Sequence, residues 1–156
     1  MIFTAEDLAH VKVFRLKIPP TPPSSDARLS DIPDPVALTH AHSASSVQPL
    51  SNGRVLFTQS SLTSPNDVFL LSGLDTPSKP LDIEQITRIS ENELQGTYLD
   101  EGEQYWFEGA DGKTVQSWIL KPKGFKKSSI GAAMKQKWPV VFLVHGGPQG
   151  KRILYG

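Results

Sequence analysis

For most of its length the chain sets apolar residues in short, roughly alternating runs divided by turn residues. Val11, Val13 and Leu16 mix with Lys12, Arg15 and Lys17, and Met1 to Thr4 is a β-prone run ahead of them. Both are expected as strands with one wet face. Further runs follow at Val36 to His40, Ser45 to Leu50, Arg54 to Gln59, Asp67 to Leu71 and Ile83 to Ile89, with turns at Ser51-Asn52-Gly53 and Ser64-Pro65-Asn66. Asn52-Gly53 signals a hairpin, because both residues tolerate the positive φ of a type I′ turn. Glu103 to Glu108 and Thr114 to Leu120 flank Gly109-Ala110-Asp111-Gly112 and form a second expected hairpin, aromatic on both arms. The run that does not alternate is Val140 to Val144. It is too short to span a membrane and is expected as a buried strand covered on both faces, with Pro139 fixing its start.

Between the second and third runs lies Pro19-Pro20-Thr21-Pro22-Pro23, which favours polyproline II and cannot join a central strand. It reads as a loop that extends to Pro35. Its P-x-x-P spacing suits an SH3-like domain, but basic anchors are missing and a surface insertion fits better. Composition agrees with turn-rich β structure: thirteen Pro and twelve Gly in 156 residues. The absence of Cys excludes a disulfide framework and a Cys-based zinc site. Zero formal net charge gives no support to nucleic-acid binding, and no apolar run approaches membrane length. No charged-then-apolar leader opens the chain, so no signal peptide is expected in it. Acids dominate from Asp82 to Asp111, and from Lys113 to Lys137 every charged residue is Lys. Such runs are ordinarily solvated faces; the sharper reading is an electrostatic match between two parts of a larger protein.

Three places carry candidate chemistry. His40 and His42 lie two apart, hence on one face if Val36 to His42 is a strand, but a third metal ligand is not evident. Tyr105, Trp106 and Trp118 are expected to pack in a sheet rather than cage a ligand. After the apolar run, His145-Gly146-Gly147-Pro148 is a glycine turn whose N–H groups could approach an anion. A phosphate loop is the rival reading of Gly146 to Lys151. It fails, because His145 stands where the loop needs its first Gly, Arg152 where it needs Ser or Thr, and Pro148 lacks an N–H.

The turn resembles the HGG-type oxyanion loop of α/β-hydrolases. With Asp111-Gly112, Trp118-Ile119-Leu120-Lys121-Pro122 and the apolar strand, it is similar to the prolyl-oligopeptidase family of serine peptidases, nearest the branch of dipeptidyl-peptidase V and acylaminoacyl-peptidase and its fungal secreted forms. That resemblance implies a mainly β fold in two parts. Residues 1–95 would be the C-terminal part of a β-propeller, its last blade plus part of another. Residues 96–156 would be the N-terminal part of an α/β-hydrolase domain, incomplete. It also implies a peptide as substrate, secretion, a Ser-His-Asp mechanism without cofactor or metal, and oxyanion contacts from His145, Gly146 and Gly147. Many relatives carry Tyr at the position of His145. No G-x-S-x-G elbow occurs in the chain, and no catalytic Asp and His follow one. The chain is therefore expected to be a fragment of such an enzyme, inactive alone. A non-catalytic propeller-type interaction module is the alternative.

Overall fold

The computed structural model describes residues 1–18, 33–76, 78–125 and 138–144. The chain divides into two compact units between Thr97 and Tyr98. In the first, β1 (Ile2–Asp7), β2 (His10–Arg15), β3 (Val36–Ala37), β4 (Ser43–Leu50), β5 (Arg54–Ser60), β6 (Asp67–Ser72) and β7 (Asp82–Gln85) form one sheet, ordered β1-β2-β4-β5-β6-β7 with β3 against β2. The strands from β4 to β7 make an antiparallel meander of four, as the spacing of the turns predicts. β2 joins this meander in parallel, through Val11 opposite Ser43. A short helix, α1 (Glu91–Leu94), follows β7.

Alternation over the first half of β5 buries Val55 and Phe57 on one face. Across the ladder they meet Leu71 and Phe69, and the Phe57 and Phe69 rings stack at 5.7 Å. Val13, Leu38 and Ala44 complete the buried cluster. Full burial of each large side chain here is worth about 1.5–3 kcal/mol. Leu38 and Thr39 are held to β2 as well as buried: Leu38 N–H donates to the Val13 carbonyl at 2.7 Å, and Val13 N–H donates to Thr39 Oγ1 at 3.0 Å.

The Asn52-Gly53 turn has the backbone its residues suggested, with φ of 60° at both. It is one residue longer than a two-residue turn, since Leu50 pairs with Arg54. Gly53 is needed twice over. Its φ disfavours a side chain, and a β-carbon would come within 2.5 Å of the Asp75 backbone nitrogen. The β1–β2 hairpin turns instead on Leu8 and Ala9, at φ of 52° and 64°. Neither residue favours positive φ, so nothing in the composition announced that turn.

Several expectations are corrected. His40 and His42 do not share a strand face: both are exposed and precede β4, and His42 has φ of 67°, which turns the chain out of extended geometry before Ser43. The run expected from Ile83 to Ile89 is strand only to Gln85. Val140 to Val144, expected as a covered strand, is in no strand and is 76–88% exposed. A strand needs a neighbour's ladder, and among the described residues none pairs with this run.

In the second unit, β8 (Glu103–Glu108) and β9 (Thr114–Ile119) pair in register from Glu103 opposite Ile119 to Glu108 opposite Thr114. The turn is a single 3₁₀ turn, Ala110–Gly112, with φ of 58° at Asp111 and 69° at Gly112. The Asp-Gly signal was thus legible in conformational terms. Tyr105 and Phe107 stack on one face at 6.0 Å. Among the described residues no third strand joins this sheet, and Tyr105 and Trp106 stay nearly half exposed rather than packed as expected.

Candidate functional site

His145, Gly146 and Gly147, the residues that the sequence nominates for oxyanion contacts, lie outside the described residues. Two other polar arrangements stand out among the described residues. Neither was evident from the chain.

The first is a clamp at the foot of the β8–β9 hairpin. The Asp100 carboxylate accepts from Gly102 N–H at 3.1 Å and from Lys121 N–H, and Lys121 Nζ pairs with Glu103 Oε2. The N–H donors of Lys121 and Gly102 hold the Asp100 carboxyl below its ordinary range, while the Glu103 carboxylate raises Lys121. Both ends of the hairpin are therefore tied at Lys121, immediately before Pro122. The Lys-Pro ending has a local structural reason beyond its value as a motif.

The second is a buried carboxylate in the first unit. Asp67 opens β6 and is 3% exposed. It accepts from Ile89 N–H at 2.9 Å, Thr87 Oγ1 at 2.8 Å, Gln85 Nε2 at 3.1 Å and Ser64 Oγ at 3.3 Å. These donors, Ile89 N–H foremost, outweigh burial and hold the carboxyl below its ordinary range. A charge-assisted hydrogen bond of this kind contributes about 1.5–3 kcal/mol, and removing the acceptor leaves buried donors unpaired. Ser64 and Asp67 flank an expected turn, but nothing in the sequence links Asp67 to Thr87 and Ile89, some twenty positions on. With its lone pairs directed at four donors, Asp67 is built to hold structure rather than to move a proton.

His10 stands close enough to His42 for their charges to interact, with burial first and then Lys12 and His42 pushing its pKa down. Among the described residues no group of three or more His, Cys, Asp or Glu is placed to hold a metal ion. Among the same residues no helix is long and apolar enough to cross a membrane.

Across 148 residues, 94% of its length, the chain is 35% identical to dipeptidyl-peptidase 5 of Trichophyton equinum and 34% identical to that of Arthroderma otae. It is 30% identical over 115 residues to dipeptidyl-peptidase 5 of Schizosaccharomyces pombe. The chain is a homologue of fungal dipeptidyl-peptidase 5. The prolyl-oligopeptidase resemblance read from Asp111-Gly112 and from Trp118 to Pro122 stands on that homology. The chain spans 18% of the Trichophyton and Arthroderma dipeptidyl-peptidase 5 sequences and 14% of the Schizosaccharomyces one. No family model matches it, and no solved structure does.

Proposed function

We propose that this chain forms part of a dipeptidyl-peptidase 5-like serine peptidase, the end of its β-propeller followed by the opening of its α/β-hydrolase domain. The carrying observation is the 35% identity that runs through 94% of the chain and joins both units in one relative. The four-stranded meander from β4 to β7 supports the propeller part, because such a meander is the unit of a blade. The hairpin from Glu103 to Ile119, ending in the anchored Lys121, supports the hydrolase part.

In this reading a Ser nucleophile, a His base and an Asp come from sequence that this chain does not contain. Ser attacks the carbonyl of a peptide bond near the substrate's N-terminus, and the carbonyl oxygen gains negative charge as the bond to Ser forms. The turn at His145-Gly146-Gly147 supplies donors to that oxygen, through main-chain N–H groups or the His145 ring, beside the N–H that follows the nucleophile. The chemistry requires neither metal nor cofactor. Secretion is proposed on the same resemblance to fungal forms.

The chain on its own is then inert toward acyl substrates. An active-site fluorophosphonate probe is expected to leave the purified chain unlabelled at all its serines. Stoichiometric labelling of one Ser would place a nucleophile inside the chain and overturn the proposal.

A further inference from the structure

The chain's route out of the seven-stranded sheet is held by polar contacts. Beyond Gln85 the apolar residues do little to fix it, with Ile86 48% and Ile89 70% exposed. A depression of about 500 Å³ borders the route, lined by Thr63, Arg88, Glu91 and Asn92 among others. The main chain contributes two bonds, from Ile86 N–H at 2.8 Å and Thr87 N–H at 3.3 Å, both to the Val68 carbonyl. Thr87 Oγ1 then accepts from Val68 N–H at 2.8 Å while donating to Asp67, so the hydroxyl bridges the carboxylate and the β6 backbone. The last tether is Ile89 N–H to Asp67 Oδ1.

We propose that the Asp67 carboxylate is a latch: it holds the exit segment from Gln85 to Ile89 against the start of β6 and so sets the direction in which the chain leaves for α1. Three of its four donors, Gln85, Thr87 and Ile89, belong to that segment, and the fourth, Ser64, fixes the carboxylate from the β5–β6 loop. Arg88 and Glu91 line the same depression as Asp67 and pair loosely with each other at 3.9 Å. The four donors to the carboxylate are supplied by other groups. Releasing the latch therefore frees a short segment without touching the core of Phe57, Leu71, Val13 and Val55.

The test is residue-resolved amide hydrogen exchange on the full chain, with Asp67→Asn and Thr87→Val compared with the parent. Thr87→Val keeps the shape of the side chain and removes only the bridging hydroxyl, so it decides the matter if Asp67→Asn does not fold. Exchange at Ile86 and Ile89 is expected to quicken by about 10-fold or more relative to Phe57 and Leu71. In the parent, the same ratio is expected to rise as pH falls below the ordinary carboxylate range, because the lowered pKa keeps Asp67 charged until then. In Asp67→Asn it stays flat with pH. Equal acceleration at exit and core, or no change at the exit, would overturn the latch.

Discussion

Gly147→Val is expected to lower kcat by about 10²-fold or more in a protein made by joining this chain to the remainder of a dipeptidyl-peptidase 5 relative, because it would disturb the turn proposed to supply oxyanion contacts. A β-branched side chain restricts the backbone that a glycine turn needs, and in the proposed reading it would crowd the approach of the substrate oxygen to the turn's N–H groups. Those contacts gain strength only as charge develops on the substrate oxygen, so the loss belongs in kcat while KM stays near its starting value. Steady-state kinetics on a dipeptide amide, with a denaturant melt alongside, separate this from a folding defect: stability is expected to change less than the rate. Full retention of kcat would reduce the turn to a way out of an apolar run.

His145→Ala in the same joined protein is expected to distinguish two ways of donating. A ring N–H donor gives a fall in kcat of about 10²–10³-fold, the usual consequence of losing one oxyanion contact. A main-chain role gives little change, because alanine retains the backbone N–H. A fall of that kind should come with KM unchanged, because the contact strengthens only as charge develops on the oxygen. A rise in KM at constant kcat would instead place His145 in ground-state binding and remove it from the oxyanion site.

The sequence was informative wherever a local rule was sufficient. Alternation at Val55 and Phe57, the two glycine-containing turns and the aromatic hairpin depend on neighbours a few residues apart, and all are present in the structure. Local rules failed where a partner distant in the chain decides. The strand expected to reach Ile89 ends at Gln85, where Asp67 takes up part of the hydrogen bonding that a ladder would provide. The pair at His40 and His42 failed for a different reason. One residue at positive φ is enough to cancel an inference from alternation, and histidine, though enriched there, adopts it too seldom for the sequence to foretell it at His42. Of the candidate site, His145, Gly146 and Gly147 lie outside the described residues, whereas the anchoring of Lys121 joins it to Asp100 and Glu103, partners too far along the chain for a local rule to pair.

The central claim is that this chain can stand in for the matching stretch of a working peptidase. The direct measurement replaces the segment of Trichophyton equinum dipeptidyl-peptidase 5 that aligns with the chain by the chain itself, and follows release of dipeptides from a peptide substrate. The account predicts release by the hybrid, abolished by a fluorophosphonate that labels a single Ser contributed by the relative. A hybrid that folds and takes up the probe yet releases no dipeptide would contradict it.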